Sequence, residues 1–323
     1  MKNILVTGGG GYIGSHIVQE LLDVGYWPIT FDNLSQGHRD AVLGGDFIEG
    51  DLLDLAALKA AFQQHKIDAV IHLAASSIVS ESVERPLEYY RNNIVGALNL
   101  LQAMLTSGVN TIVFSSSASV YGDPASTPIS EEHACVPNNP YGWSKLIFEQ
   151  ILEDTAKSQG LRYVSLRYFN VAGHHPNGRL RERHHPETHL VPRVIEAISQ
   201  GQTVEIYGTD YPTPDGTCVR DYVHVCDIAR AHISALEHLN AGHAGGIYNL
   251  GNGKGFSVKE VISAIEGVLG RKAQCRECPR RSGDPAVLVA SATKALRELG
   301  WEPRYTTIES IIPVPEERHR HQV

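Results

Sequence analysis

Asn3-Ile4-Leu5-Val6-Thr7-Gly8-Gly9-Gly10-Gly11-Tyr12-Ile13-Gly14 is the stretch on which the fold turns. Ile4-Leu5-Val6 is a short apolar run suited to a strand buried on both faces, and such strands belong to parallel sheets. It leads through glycines into a helix expected to reach Leu22. Strand, glycine turn and helix in that order describe a dinucleotide site. Glycines at 8, 11 and 14 let the backbone approach a pyrophosphate at the helix N-terminus, where unpaired N–H groups face an anion. Gly9, Gly11 and Gly14 also fit the literal G-x-G-x-x-G pattern, which carries little weight without that placement.

Further strands are expected at regular intervals. Pro28-Ile29-Thr30-Phe31 ends at Asp32, 18 residues beyond Gly14, where a carboxylate accepts hydrogen bonds from a ribose and favours NAD over NADP. Phe47 to Asp51 reads as a third strand, with Asp51 placed to reach an adenine amino group. Asp68 to Ala75 is a fourth, opening at Ala74 and Ala75, where small side chains admit a cofactor. A long helix from about Pro86 to Ser107 is expected to carry Tyr90, Ile94, Leu98, Leu101 and Leu105 on one face, stop at Gly108, and bring Asn92 toward a nicotinamide. Thr111 to Phe114 and Leu161 to Tyr168 supply the fifth and sixth strands. The first ends in Ser115-Ser116-Ser117 and the second in Phe169-Asn170, at the strand ends where open sheets place ligands. The fold class is therefore α/β, a Rossmann-type doubly wound parallel sheet.

Chemistry is expected at Asn138-Asn139-Pro140-Tyr141-Gly142-Trp143-Ser144-Lys145. Asn139 suits a helix cap and Pro140 a first helical position, so Tyr141 and Lys145 share a face at i, i+4. Bringing a phenol from about 10 to about 7 requires roughly 4 kcal/mol. One cation at about 4 Å and an effective dielectric of about 20 supplies a similar amount, which burial of the phenolate opposes. A second positive charge, such as an oxidised nicotinamide, closes the gap. Tyr-x-x-x-Lys is a common accident on amphipathic helices, so its weight comes from the strands around it.

Beyond Gly173 the alternation loosens. The expected division is residues 1–173 as an NAD-binding domain, with 220–250 contributing, and 174–219 with 251–323 as a smaller mixed α/β substrate domain. His174 to His189 holds five histidines and two prolines, a loop signature without metal-ligand spacing. No metal is expected there. Leu190 to Ser199 reads as a helix, Thr203 to Tyr207 and Arg220 to His224 as strands, Asp227 onward as a helix, and Ile247 to Leu250 as a strand. Ser257-Val258-Lys259-Glu260 is a capping box opening a helix to Leu269. Arg280-Arg281-Ser282-Gly283-Asp284 is basic enough to grip a diphosphate. Cys275 and Cys278 form a lone Cys-x-x-Cys, too little for a zinc site. Pro313 and Pro315 are expected to stop a helix begun at Thr307.

Composition narrows the classes. A net charge of -8, from 36 acidic and 28 basic residues in 323, speaks against nucleic acid as a partner. No apolar run approaches membrane-spanning length, so no membrane partner is expected. Five cysteines and an N-terminus running straight into Ile4 fit reduced thiols and a cytoplasmic location. The helices at 86–107 and 140–158 offer faces for a homodimer.

Taken together, residues 7–14, Phe114-Ser115-Ser116-Ser117-Ala118-Ser119-Val120-Tyr121-Gly122, Tyr141-x-x-x-Lys145 and Arg167-Tyr168-Phe169-Asn170 resemble the extended short-chain dehydrogenase/reductase superfamily. Within it, Gly208 to Val225 and Arg280 to Asp284 resemble the UDP-glucose 4-epimerase branch, over Met1 to about Ile311. The resemblance implies a reversible C4 epimerisation of UDP-galactose and UDP-glucose, through a 4-keto sugar and bound NAD. It makes Tyr141 the acid/base residue, Lys145 its electrostatic partner, and Ser117 a partner of the sugar 4-hydroxyl. It implies NAD contacts from Gly8, Gly11, Tyr12, Ile13, Gly14, Asp32, Asn33, Asp51, Leu52, Leu73, Ala74, Ala75, Asn92, Ser115, Tyr141, Lys145 and Phe169, and from Ser77, which stands where some members carry a lysine. The UDP-sugar falls to Ser117, Tyr141, Asn170, His189, Leu190, Glu205, Tyr207, Arg220, Arg281 and Asp284. Leu288 stands where some members have a tyrosine against the sugar, so N-acetylated UDP-hexosamines are a second expected substrate class. A 4,6-dehydratase of the superfamily carries an acidic pair after the strand-end hydroxyl, where this chain has Ala118-Ser119. A UDP-glucuronate 4-epimerase and a non-catalytic NAD sensor are the remaining rivals.

Overall fold

In the computed structural model, which describes residues 2–184, 187–281 and 284–312, thirteen strands and eleven α-helices follow the chain. The first half holds β1 (Asn3–Thr7), α1 (Tyr12–Asp23), β2 (Trp27–Asp32), β3 (Asp46–Glu49), α2 (Leu55–Gln64), β4 (Ala69–His72), α3 (Val79–Glu84), α4 (Pro86–Tyr90), α5 (Gly96–Thr106), β5 (Thr111–Ser117), α6 (Pro140–Gln159) and β6 (Arg162–Tyr168). The second holds β7 (Asn170–Ala172), α7 (Leu190–Gln200), β8 (Thr203–Tyr207), β9 (Val219–His224), α8 (Val225–Asn240), β10 (Gly246–Leu250), β11 (Gly255–Ser257), α9 (Val258–Leu269), β12 (Gln274–Cys278), β13 (Val287–Leu288), α10 (Thr293–Leu299) and α11 (Ile308–Ile311).

Seven strands form one parallel sheet in the order β10-β6-β5-β4-β1-β2-β3. β1 sits between β4 and β2, which is why Ile4, Leu5 and Val6 are wholly buried. A parallel sheet needs crossover helices and is covered on both faces. One face packs Ile17, Val18 and Leu21 of α1 and Leu236 and Leu239 of α8; the other packs Leu58, Leu100, Met104, Phe148 and Leu152 from α2, α5 and α6. Strand order reverses between β1 and β4, and the ends of these two strands open the crevice where such sheets bind ligands. A four-stranded sheet of β11-β9-β13 with β7, and the parallel pair β12–β8, enclose a separate core with α7 and α9. No helix among the described residues is long and apolar enough to cross a membrane.

The expected 86–107 helix is corrected. Arg91–Val95 forms a π-helical turn between α4 and α5, and its extra residue rotates α5 about the helix axis. Tyr89, Asn93, Ala97, Leu101 and Met104 face inward, while Leu98, expected on the core face, is exposed. Other differences are at element ends. β5 runs on through Ser117, β4 stops at His72 rather than Ala75, and α8 begins two residues early because the His224 ring accepts from the Cys226 N–H. α11 starts at the Thr307 cap as expected; Pro313 and Pro315 lie outside the described residues.

Candidate active site

Asn139 caps α6 by accepting the Gly142 N–H at 2.8 Å, with Pro140 at the first helical position. The cap delivers Tyr141 to the C-terminal edge of β5, beside the Ser117 hydroxyl. Burial raises the phenol pKa and the Ser117 hydroxyl opposes that rise. Lys145, buried one turn on, holds its ammonium 5.7 Å from the centre of the Tyr141 ring and 5.0 Å from that of Phe114. It donates to the Ser115 carbonyl at 2.9 Å. Burial pushes its pKa down to about 7, and Glu149 opposes that shift. The protein's own environment thus disfavours both charged forms, in line with the expectation that burial opposes the phenolate and that Lys145 needs a second positive charge beside it.

The turn between the π-helical segment and β4 supports the same helix. Asn93 Oδ1 accepts the Ser76 N–H at 2.8 Å, and its amide donates to Ser144 Oγ at 3.0 Å. Ser144 in turn donates to the Tyr141 carbonyl at 2.7 Å. Asn92 donates to Ser76 Oγ at 3.1 Å, and the neighbouring Ser77 is exposed.

The glycine turn has the form of an anion cradle. Gly8, at φ 75°, lies so near β4 that a Cβ would come 2.7 Å from the Ala74 N, and one on Gly14 would strike the Gly8 carbonyl. No side chain caps α1, so its first N–H groups face outward over Gly11. These features fit the diphosphate of a dinucleotide. Asp32 accepts Gly10 N–H at 2.9 Å and Leu34 N–H at 2.8 Å, and each oxygen keeps a lone pair for a ribose hydroxyl. Asn33 donates to Asp51 at 3.0 Å, joining the ends of β2 and β3. Leu73 and Ala75 follow β4 at the crevice and are half-buried. Leu52 and Phe169 are buried and pack in apolar clusters.

On the other side of the crevice the charged residues are paired with one another. Arg220 meets Asp284, Arg276 meets Glu205, and Glu205 accepts from the Tyr207 hydroxyl. Arg281 lies 4.0 Å from the centre of the Tyr207 ring. Arg280 of the expected diphosphate-holding stretch donates to Asp210 at 2.7 Å; Ser282 and Gly283 lie outside the described residues. Leu288 pairs with Arg220 across β13 and β9. Asn170, exposed, begins β7, and His189 and Leu190 open α7.

Sequence reasoning missed the order in the histidine segment. Glu182 accepts from His189 Nδ1 at 2.5 Å and His184 Nδ1 at 3.0 Å, and ligand-type atoms of Glu182, His184, Glu187 and His189 lie within 4.8 Å of one another. Arg183 forks onto Asp40 at 2.7 and 3.0 Å, and with Gly10, Gly11, Tyr12 and His38 it lines a narrow cleft beside the glycine turn. It also missed the buried Glu149–Arg167 pair; an i+4 step beyond Lys145 was the available signal for Glu149.

The sequence profile of the NAD dependent epimerase/dehydratase family matches residues 4–251. The chain belongs to this family. It is 51% identical to the UDP-glucose 4-epimerase of Halalkalibacterium halodurans over 310 residues, covering 96% of this chain and 93% of that one. The crystal structure of UDP-glucose 4-epimerase from Brucella ovis in complex with NAD superposes with a TM-score of 0.95 at 46% identity, covering 98% of both chains. The UDP-Glc/GlcNAc 4-epimerase from Campylobacter jejuni does so with a TM-score of 0.85 at 41% identity, covering 97% of both. In family terms, the seven-stranded sheet is the Rossmann-type layer, and its glycine turn and the β5–α6 cluster face one crevice.

Proposed function

We propose that this chain is an NAD-dependent enzyme that interconverts UDP-galactose and UDP-glucose by inverting C4 of the sugar through a transient 4-keto sugar. The observation that carries the reading is the convergence of Ser117, Tyr141 and Lys145 at the edge of the sheet whose switch point carries an uncapped glycine turn. Bound NAD supplies a hydride acceptor and donor at C4, so no external reductant is consumed. Ser117 holds the 4-oxygen, and Tyr141 takes its proton in one direction and returns it in the other. Lys145 contributes positive charge beside the phenolate and a ribose contact. Arg220, Arg281, Tyr207, Asn170 and Leu190 anchor the uridine diphosphate, with Asp284 steering Arg220, so the keto sugar turns over without escaping. Purified protein incubated with UDP-galactose, without and with added NAD, is expected to form UDP-glucose; no conversion in either case defeats the reading.

A second substrate class is favoured by Leu288, a half-buried leucine beside Arg220 rather than a larger aromatic, and by the likeness to a UDP-Glc/GlcNAc 4-epimerase. Equal inactivity on UDP-N-acetylglucosamine and an empty control refutes it. The proposed assembly is a homodimer. Val83, Leu87, Leu98 and Trp143 expose apolar side chains on α3, α4, α5 and α6, a face two copies would cover; a monomeric mass by light scattering rules this out. Five unpaired cysteines fit work in the reducing cytoplasm.

A further inference from the structure

A buried ion pair lies directly behind this site, and neither of its members takes part in the proton or hydride transfers. Glu149 follows Tyr141 and Lys145 at the next i+4 step of α6, so the three project from one face. Its side chain and that of Arg167 on β6 are each 3% exposed. Arg167 donates through Nε to Glu149 Oε1 at 2.9 Å and through Nη2 to Oε2 at 2.5 Å, while Nη1 donates to the Tyr121 hydroxyl at 2.9 Å. Ser116 Oγ donates to Glu149 Oε1 at 2.5 Å.

Helix α6 is thus pinned to the end of β5 by three consecutive serines. Ser117 meets Tyr141, the Ser115 carbonyl meets Lys145, and Ser116 between them meets Glu149. Anchoring a helix to a sheet does not require charge, because buried ion pairs are frequently no better for stability than apolar replacements. The placement has a stronger electrostatic rationale. The hydrogen-bond partner of the Lys145 ammonium is a neutral carbonyl. Of the groups around it, Tyr141 on the same helix is held neutral by burial, and His72 on β4 is neutral because burial brings its pKa to about 3. Arg167 is a cation, set behind the carboxylate it binds. Glu149 is the anion that acts on Lys145.

We propose that Glu149 is a positioning residue for the epimerisation: its carboxylate is the counter-charge that keeps Lys145 cationic, and its bond to Ser116 fixes the serines that meet Tyr141 and Lys145. The inference rests on the assignment of Tyr141 and Lys145 as the acid/base pair. Arg167 has a defined part in it, donating to both carboxylate oxygens of Glu149.

The sign of the effect is set. Burial lowers the Lys145 pKa and Glu149 opposes this, so removing the anion lowers it further. Lys145 then loses its proton at a lower pH, and the alkaline limb of the rate profile shifts with it.

The test measures two quantities in Glu149→Gln, Glu149→Gln/Arg167→Gln and wild-type protein. One is the pH dependence of kcat with UDP-galactose; the other is the titration of the Lys145 Cε resonance in 13C-lysine-labelled protein, assigned with Lys145→Arg. In E149Q both midpoints are expected to fall by about one pH unit or more. The double variant removes the cation with the anion and is expected to recover most of that shift. An E149Q protein that folds and keeps the wild-type Lys145 midpoint overturns the proposal. If E149Q does not fold, Glu149→Asp takes its place, since it keeps the charge and shortens the reach to Ser116. An unmoved midpoint with reduced kcat then supports the proposal, and a moved midpoint or full kcat overturns it. Wild-type protein inert toward UDP-galactose defeats the functional reading instead, and the resonance titration still reports on Glu149.

Discussion

The two walls of the crevice are built on different principles. On the β5–α6 side, Ser117, Tyr141 and Lys145 stand on a buried strand and a capped helix, braced from behind by Asn93, Glu149 and Arg167. On the opposite side, Arg220, Arg276 and Arg281 stand on short strands and connecting segments, and each is engaged with Asp284, Glu205 or the Tyr207 ring. The first wall has little to rearrange before a proton moves. In the proposed function the second exchanges internal partners for phosphate, which costs affinity but lets a long ligand be gripped and released. Chemistry and anchorage are thereby separated, and their loss should read out in different kinetic constants.

The largest expected effect falls on the rigid wall. Tyr141→Phe removes the hydroxyl with no change of shape, and kcat should drop by about 10² to 10⁴-fold while KM stays near the wild-type value. Full turnover in this variant would falsify the assignment of the proton-transfer group. On the paired wall, Arg281→Met removes a guanidinium that lies over Tyr207. A charged hydrogen bond lost from the ligand should raise KM roughly 10- to 100-fold with kcat little changed. Initial rates across substrate concentration decide it: equal losses in kcat and KM would break the division between the walls.

The rigid wall was also the more legible in sequence. Asn139-Pro140 states a helix start, and an i+4 step from Tyr141 to Lys145 is a local geometric fact, so both could be placed without tertiary knowledge. The Ile4-Leu5-Val6 run and the Ser257 capping box were readable for the same reason. What was not readable depends on contacts distant in the chain or on small departures from ideal geometry. The π-helical turn at Arg91–Val95 leaves no mark in apolar periodicity, so Leu98 was assigned to the wrong face. Arg220 meets Asp284 across 64 positions, and Arg183 reaches Asp40 across 143. The sequence therefore displays these charges as free when the fold has already paired them.

Two cap removals sharpen the contrast at a smaller scale. Asn139→Ala leaves the Gly142 N–H without its acceptor and should cost about 1 kcal/mol of stability. Ser257→Ala at the start of α9 should cost at least about as much, since Ser257 also bonds Asp215. Denaturant melts should give comparable losses, but only N139A, which frays the turn carrying Tyr141, should also lower kcat.

The smallest effect concerns the segment that joins the two walls. Glu182 accepts from His189, holding the imidazole pKa up at about 10 while its own is brought down to about 2. A histidine raised from 6.5 contributes its full stabilisation below pH 6.5 and loses it progressively as pH rises toward 10. A glutamate lowered from 4.5 contributes above pH 4.5 and loses its share as pH falls toward 2. The pair is therefore strongest between pH 4.5 and 6.5 and fades through the alkaline range. Because the His189 side chain is half exposed, at 50%, solvent screens the pair and the effect on melting temperature is modest. His189→Gln should flatten the fall in melting temperature between pH 6.5 and 10 relative to wild type. Parallel curves for the two proteins over that range would mean that the segment is held by Arg183 and Asp40 rather than by the imidazolium.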